Sequence, residues 1–186
     1  MKTFPTSFTL ETGRLRLRLP SESDIPKVFS ATRYQGFNDG MLWDPPEHPN
    51  EIAASLKRNL RAWENGEAFG FSIDEKMTAQ FVGRISIRPT DQPGRWNIGF
   101  WTHPEHQGHG YMTEAVGAVL EFGFSQLEAR EIEACHALWN KASERVLQKN
   151  GFQFDRYIEQ GFQKKGEWVA ENLLVIDKAH WMKNIG

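Results

Sequence analysis

The sequence predicts an α/β fold built around a mixed sheet. Three observations carry this. Short alternating or aromatic runs of strand length recur along the chain, longer runs between them space their apolar residues as a helix does, and turn residues punctuate the whole. With 186 residues the chain suits one domain, residues 1–186, with a sizeable core. The net charge is −2 with Lys and Arg scattered, which offers no electrostatic footprint for nucleic acid. No run approaches the ~18 apolar residues of a membrane span, and residues 1–10 lack a signal-peptide pattern. The expectation is a cytoplasmic protein with no nucleic-acid and no membrane partner.

Taken in order, Arg14-Leu15-Arg16-Leu17-Arg18-Leu19 alternates strictly, a half-buried strand with its leucines inward. Pro20 and Ser21 end it, and Ser21-Glu22-Ser23-Asp24 offers capping chemistry to a helix from about Ile25. Residues 34–49 carry Gly36, Gly40, Pro45, Pro46 and Pro49, which forbid a continuous element. Yet Phe37, Met41, Leu42 and Trp43 make this loop too apolar to be merely solvated; it either folds onto the core or walls a pocket. A second helix starts at Asn50-Glu51, keeps Ile52, Leu56, Leu60 and Trp63 at helical spacing, and ends at Asn65-Gly66. Strands follow at 69–74, 80–88 and 95–102, separated by polar turns. A glycine turn then opens a helix running to about Phe124. The chain finishes with a strand at 132–138, a short helix at 140–150 stopped by Gly151, and a strand pair at 152–158 and 168–176.

The stretch His106-Gln107-Gly108-His109-Gly110-Tyr111-Met112-Thr113 joins the aromatic strand to its helix. Two glycines one residue apart allow a tight turn with bare N–H groups, and the helix start adds unpaired amides and the positive end of its dipole. Together these make a cradle for a pyrophosphate; an ordinary strand-to-helix turn is the alternative. The single Cys135 lies in an alternating run and reads as a buried structural thiol. His103, His106 and His109 recur every three residues, but they bridge a proline turn and a glycine loop with no common face, so no metal is expected.

The block Asn140-Lys141-Ala142-Ser143-Glu144-Arg145-Val146-Leu147-Gln148-Lys149-Asn150-Gly151-Phe152, with Gln107-Gly108-His109-Gly110, resembles the GNAT superfamily of acetyl-CoA-dependent N-acetyltransferases. The loop matches that family's Q/R-x-x-G-x-G/A pattern at Gln107 and Gly110. Met112 stands at its last position, a departure common in the RimJ/RimL-like branch. Leu10-Glu11-Thr12-Gly13-Arg14-Leu15-Arg16-Leu17-Arg18 also looks like that branch's first strand. The resemblance implies a GNAT fold: a mixed, mostly antiparallel sheet flanked by helices, with a splayed strand pair holding acetyl-CoA. It implies that Phe100, Trp101 and Thr102 pair by backbone with the pantetheine arm, beside Asn140. It further implies that Gln107, Gly108, His109, Gly110, Tyr111, Met112 and Thr113 hold the diphosphate.

The resemblance implies that Ser143, at a position where this branch often places a hydroxyl near the coenzyme A sulfur, returns a proton to the departing thiolate; the alternative is a hydroxyl that only satisfies a nearby helix carbonyl. A base helps the amine lose its proton. The glutamate that many members carry before the loop is Asn97 here, in Asn97-Ile98-Gly99, which leaves Glu159, after the Gly151-Phe152 pair, as the first candidate and Glu171 and His136 behind it. Each also reads as a structural or solvated group, and an amine that arrives neutral needs only a water chain. Phe37, Asp39 and Trp43 are expected to bind the acceptor. The function implied is acetyl transfer to a primary amine, foremost the N-terminal amine of a protein or peptide, by direct attack on the thioester. Open alternatives are a small acceptor (a drug, polyamine or amino acid) and a non-catalytic acyl-CoA sensor, which the missing strand glutamate keeps in play. A monomer or homodimer without metal is expected.

Overall fold

The structure, a computed structural model, describes residues 2–184. Its strands are β1 (Thr9–Glu11), β2 (Leu15–Arg18), β3 (Phe69–Glu75), β4 (Phe81–Pro89), β5 (Arg95–Thr102), β6 (Glu131–Ala137), β7 (Gln153–Lys164) and β8 (Glu167–Asp177). The helices are α1 (Ile25–Ala31), α2 (Pro49–Glu64), α3 (Tyr111–Glu121), α4 (Lys141–Lys149) and α5 (Lys178–Asn184). The strands form one sheet in the order β1-β2-β3-β4-β5-β6-β8-β7. Every neighbouring pair is antiparallel except β5 and β6, which run parallel around the crossover through α3. This is the mixed, mostly antiparallel sheet flanked by helices that the resemblance implies.

Local chemistry explains the elements. Leu15 and Leu17 of β2 are fully buried, while Arg16 reaches Glu11 and Arg18 reaches Asp24 and Asp74. At the start of α2, Glu51 accepts from the amides of Glu47 and His48, and Ile52, Leu56 and Trp63 form its buried stripe. Helix α3 buries Met112, Ala115, Val116, Val119 and Leu120. The centre of the core is aromatic: Trp63, Phe69, Phe71 and Phe122 meet edge to face at 5.2–5.8 Å.

Three features exceed the sequence reading. The short β1 precedes β2, a π-helical turn (Phe122–Gln126) extends α3, and α5 follows β8, capped by Asp177, which accepts from the His180 amide at 2.7 Å. The last hairpin is also longer than the sequence suggests. Most of β7 is exposed on the sheet edge, so its polar residues carry no alternation to count.

The feature that positions the site is the brevity of the β5–β6 ladder. It holds only Arg95 with Glu131, Trp96 with Ile132, and Asn97 with Glu133. Beyond these, β5 continues against β4 as far as Thr102, and β6 against β8 as far as Ala137, so the two strands part.

Candidate active site

The parting opens a cleft of about 1160 Å³. One end is the glycine loop. Gly108 and Gly110 have φ of +81° and +76°, a region that disfavours a side chain, and a Cβ on Gly108 would meet nothing within 4 Å. The first helical bond of α3 runs from the Glu114 amide to the Gly110 carbonyl at 3.2 Å, which leaves the amides of Tyr111, Met112 and Thr113 without helical partners. Open space, free amides and a helix N-terminus fit a diphosphate.

This loop is held from the first strands. Glu114 accepts from the Thr12 hydroxyl, from the Arg14 amide at 2.8 Å and from the Arg14 guanidinium at 2.7 Å. Burial raises the Glu114 carboxyl, but the Thr12 and Arg14 bonds outweigh it and hold the group below the usual range. Arg14 also donates to the His109 carbonyl at 3.0 Å and lies over the Tyr111 ring. The stretch therefore has an anchor that its own residues do not reveal.

Asn140 caps α4, its Oδ1 accepting from the Ser143 amide at 3.1 Å. Asn150 donates to the carbonyls of Thr113 and Val146, tying α4 to the first turn of α3. Ser143 is half-buried in the cleft wall beside Asn140, and its hydroxyl bonds nothing among the described residues. Phe100, Trp101, Thr102, Gln107, Gly108, Gly110, Tyr111, Met112 and Thr113 also line the cleft. His109 does not; it stacks on Tyr111.

The apolar loop is a wall. Phe37 and Trp43 both line the cleft, with the Phe37 ring edge-on to Trp101 at 5.3 Å and to Trp43 at 6.4 Å. Lys164 of β7 pins the segment by donating to the carbonyls of Met41 and Trp43 and to the Asp44 carboxylate. Asp39 is placed differently from the expectation. It is exposed and faces a smaller hollow of about 350 Å³ beside Trp139, Lys164 and Trp168. Asp44 lines the cleft and is paired with Lys164 at 2.9 Å.

The structure also separates the candidate bases. Glu159 is exposed on β7 and outside the cleft, whereas Glu171 of β8 lines it, half-buried and without a hydrogen-bond or ion-pair partner among the described residues. Burial raises the Glu171 carboxyl above the usual range. Gly161 packs against it, since a Cβ there would come within 2.5 Å of Glu171 Oε2. His136 is buried in the cleft wall with Nδ1 on the Ala137 carbonyl at 2.9 Å. Cys135 is half-buried and lines the cleft as well, but burial, with Glu171 and Glu133 nearby, pushes its thiol up to about 12. It stays a neutral thiol near pH 7 and a poor nucleophile. Among the described residues no group of three His, Cys, Asp or Glu is arranged to hold a metal ion.

Residues 14–153 match the acetyltransferase (GNAT) domain model. The uncharacterized N-acetyltransferase YnaD of Bacillus subtilis is 31% identical over 172 residues, 92% of this chain and 98% of YnaD. Among solved structures, a GNAT-family acetyltransferase from Bacillus anthracis is similar with a TM-score of 0.83 at 21% identity, covering 92% of this chain and 99% of that one. RimL, the ribosomal L7/L12 alpha-N-protein acetyltransferase solved with coenzyme A, gives 0.82 at 19% identity, covering 91% and 98%. The chain belongs to the GNAT family of acetyltransferases. Its class is that of an acetyl-CoA-dependent N-acetyltransferase.

The cradle carries a direct expectation. Gly108→Val should weaken acetyl-CoA binding about tenfold or more in calorimetry, because a branched side chain both strains the +81° backbone and fills the open space. Unchanged affinity would remove the loop from the cofactor site.

Proposed function

We propose that this chain acetylates the N-terminal amine of a protein or peptide by direct attack of the amine on the thioester. One observation carries the reading: a carboxylate, Glu171, and a hydroxyl, Ser143, both without a partner among the described residues, line the same cleft. Acetyl-CoA, when bound, supplies an activated acetyl group on a thiol leaving group. The residues divide the remaining work. The free amides of 111–113 and the loop at Gly108 hold the diphosphate end. Backbone groups of β5 beyond Asn97, freed of a β6 partner, pair with the pantetheine arm as an added strand. Glu171 takes the proton from the incoming ammonium, and its raised carboxyl suits it better to that task than a solvated glutamate. Ser143 returns a proton to the departing sulfur. The neutral Cys135 thiol supports direct transfer over an acyl-enzyme.

The protein acceptor is supported by the likeness to RimL, a ribosomal L7/L12 alpha-N-protein acetyltransferase, and by the open aromatic wall of Phe37 and Trp43. The carboxylate of Glu171 in the cleft supports turnover over a non-catalytic sensor. The test is incubation with acetyl-CoA and a panel of N-terminal peptides, lysine side chains, polyamines and aminoglycosides, read by mass spectrometry. Acetyl on peptide α-amines is the expected result. Acetylation of polyamines or aminoglycosides alone would move the acceptor to small molecules, and binding without turnover would favour a sensor.

A further inference from the structure

Two half-buried charged side chains on the acceptor side of the cleft have no partner among the described residues, and they stand level with each other across it. Arg84 on β4 pairs in register with Trp101 of β5, and Glu171 on β8 pairs with Ala137 of β6. Trp101 and Ala137 each lie four residues past Asn97 and Glu133, the last pair at which β5 and β6 still touch. The open end of the splay is thus flanked by a cation one strand to one side and a carboxylate one strand to the other. Both side chains line the same cavity. Strand spacing alone puts their Cα atoms about 14 Å or more apart, room for an acceptor between them.

The other charges nearby are spent or peripheral. Asp44 is held by Lys164, and Glu51 by the amides of Glu47 and His48. Asp24 lies close enough to act on Arg84, but its oxygens are filled by two bonds from Arg18, one from the Ser72 hydroxyl and one from the Ser21 amide. Arg58, Arg88, Arg145 and Lys149 also line the cleft but are exposed to solvent. Arg84 is different: its Nε and Nη2 are buried and bond nothing among the described residues. A guanidinium does not escape burial by losing its proton, and its planar fork matches a carboxylate. Two buried donors of that fork without an acceptor are what an absent anion would leave behind.

We propose that Arg84 binds an anionic group of the acceptor while Glu171 faces its amine, so that the substrate is a zwitterion with a carboxylate close to the reacting nitrogen. This rests on the acetyl-transfer reading above and narrows it. The carboxylate has two possible sources, an acidic side chain in the first residues of a peptide or the α-carboxylate of a free amino acid.

The competing role for Arg84 is structural, as a countercharge for Asp24 and Asp74, which share Arg18. Steady-state kinetics on the wild-type chain decides first. The acceptors are matched C-terminally amidated peptides with Glu or Gln, and Asp or Asn, in the first two positions, together with free amino acids and their amides. An acidic acceptor of one source or the other should have a KM lower by about tenfold than its neutral twin, the scale of one charged hydrogen-bonded pair. Arg84→Met should erase that preference and leave the KM for acetyl-CoA unchanged, and Arg84→Lys should restore part of it. A preference confined to peptides or to amino acids supports the proposal and names the source.

Equal KM values for acidic and neutral acceptors in the wild type overturn the proposal while acetyl transfer stands. No turnover with any amine overturns the transfer reading and the proposal with it. If Arg84→Met does not fold, the wild-type comparison and Arg84→Lys still decide. An Arg84→Met chain with lowered melting temperature and an intact acidic preference assigns the residue to structure and overturns the proposal.

Discussion

Glu171→Gln is expected to lower kcat by about 10²- to 10⁴-fold and, at neutral pH, to raise the melting temperature. The first effect follows if Glu171 is the base, since the amide keeps the shape but cannot take a proton. The second follows from the surroundings: a carboxylate without a partner is held against its tendency to stay hydrated, and burial raises its affinity for a proton. The folded chain therefore binds this proton more tightly than the unfolded chain does. The contribution of Glu171 to stability is intact below its ordinary value of 4.5 and is lost as pH rises through the raised folded value. The melting-temperature gap between the Gln variant and wild type should be near nil at acid pH and widen toward neutrality.

The variant comparison is needed because Asp24 and Glu114 are held low and pull the other way. In the wild type, kcat/KM should climb with pH through the same raised value, because the base acts in its ionised form. Gly161→Ala is a second arm. It keeps the carboxylate but sets a methyl against Oε2, so it should displace the group and reduce kcat as well. A Gln variant of wild-type activity would eliminate Glu171 as the base.

Ser143→Ala should reduce kcat by about 10- to 1000-fold and spare acetyl-CoA affinity. The substitution is clean, because the α4 cap uses the Ser143 amide and the Asn140 side chain, not the hydroxyl. Melting temperature should hold. A general acid matters most when the leaving thiol is a poor one, so the penalty should shrink with an acyl donor whose thiol is more acidic. A loss confined to KM, independent of the donor thiol, would make Ser143 a binding residue.

What the sequence discloses depends on how local the cause is. Strand 95–102 agrees with β5, and α2 and α4 fall within a residue or so of their signals, because caps and apolar spacing are written in adjacent residues. The glycine loop was legible for the same reason. The choice between Glu159 and Glu171 was not. Proximity to Gly151-Phe152 favoured Glu159, but β7 breaks register between Ile158 and Phe162, and only the pairing with β8 decides which carboxylate meets the cleft. In the sequence, Arg84 is one polar residue inside the strand run 80–88. The available signal was an arginine between buried positions, Val82 and Ile85, under a layer that only the tertiary fold supplies. Asp39 read as part of the acceptor wall because its neighbours are. The 3₁₀ turn Phe37–Gly40 sends Phe37 into the cleft and leaves Asp39 outside it.

The hold of Lys164 on the aromatic wall has a consequence for biosynthesis. Its bonds to Met41 and Trp43 join residues 123 and 121 positions apart, and the Arg14 grip on Glu114 spans 100. Closures of that length form late, because the chain must lose the freedom of a large loop before the contact rewards it. On the ribosome, the segment with Phe37 and Trp43 is made early and waits, without its tether, until β7 has emerged. During that interval its rings are available to other chains as readily as to their own cleft, which exposes this wall to misassembly during synthesis.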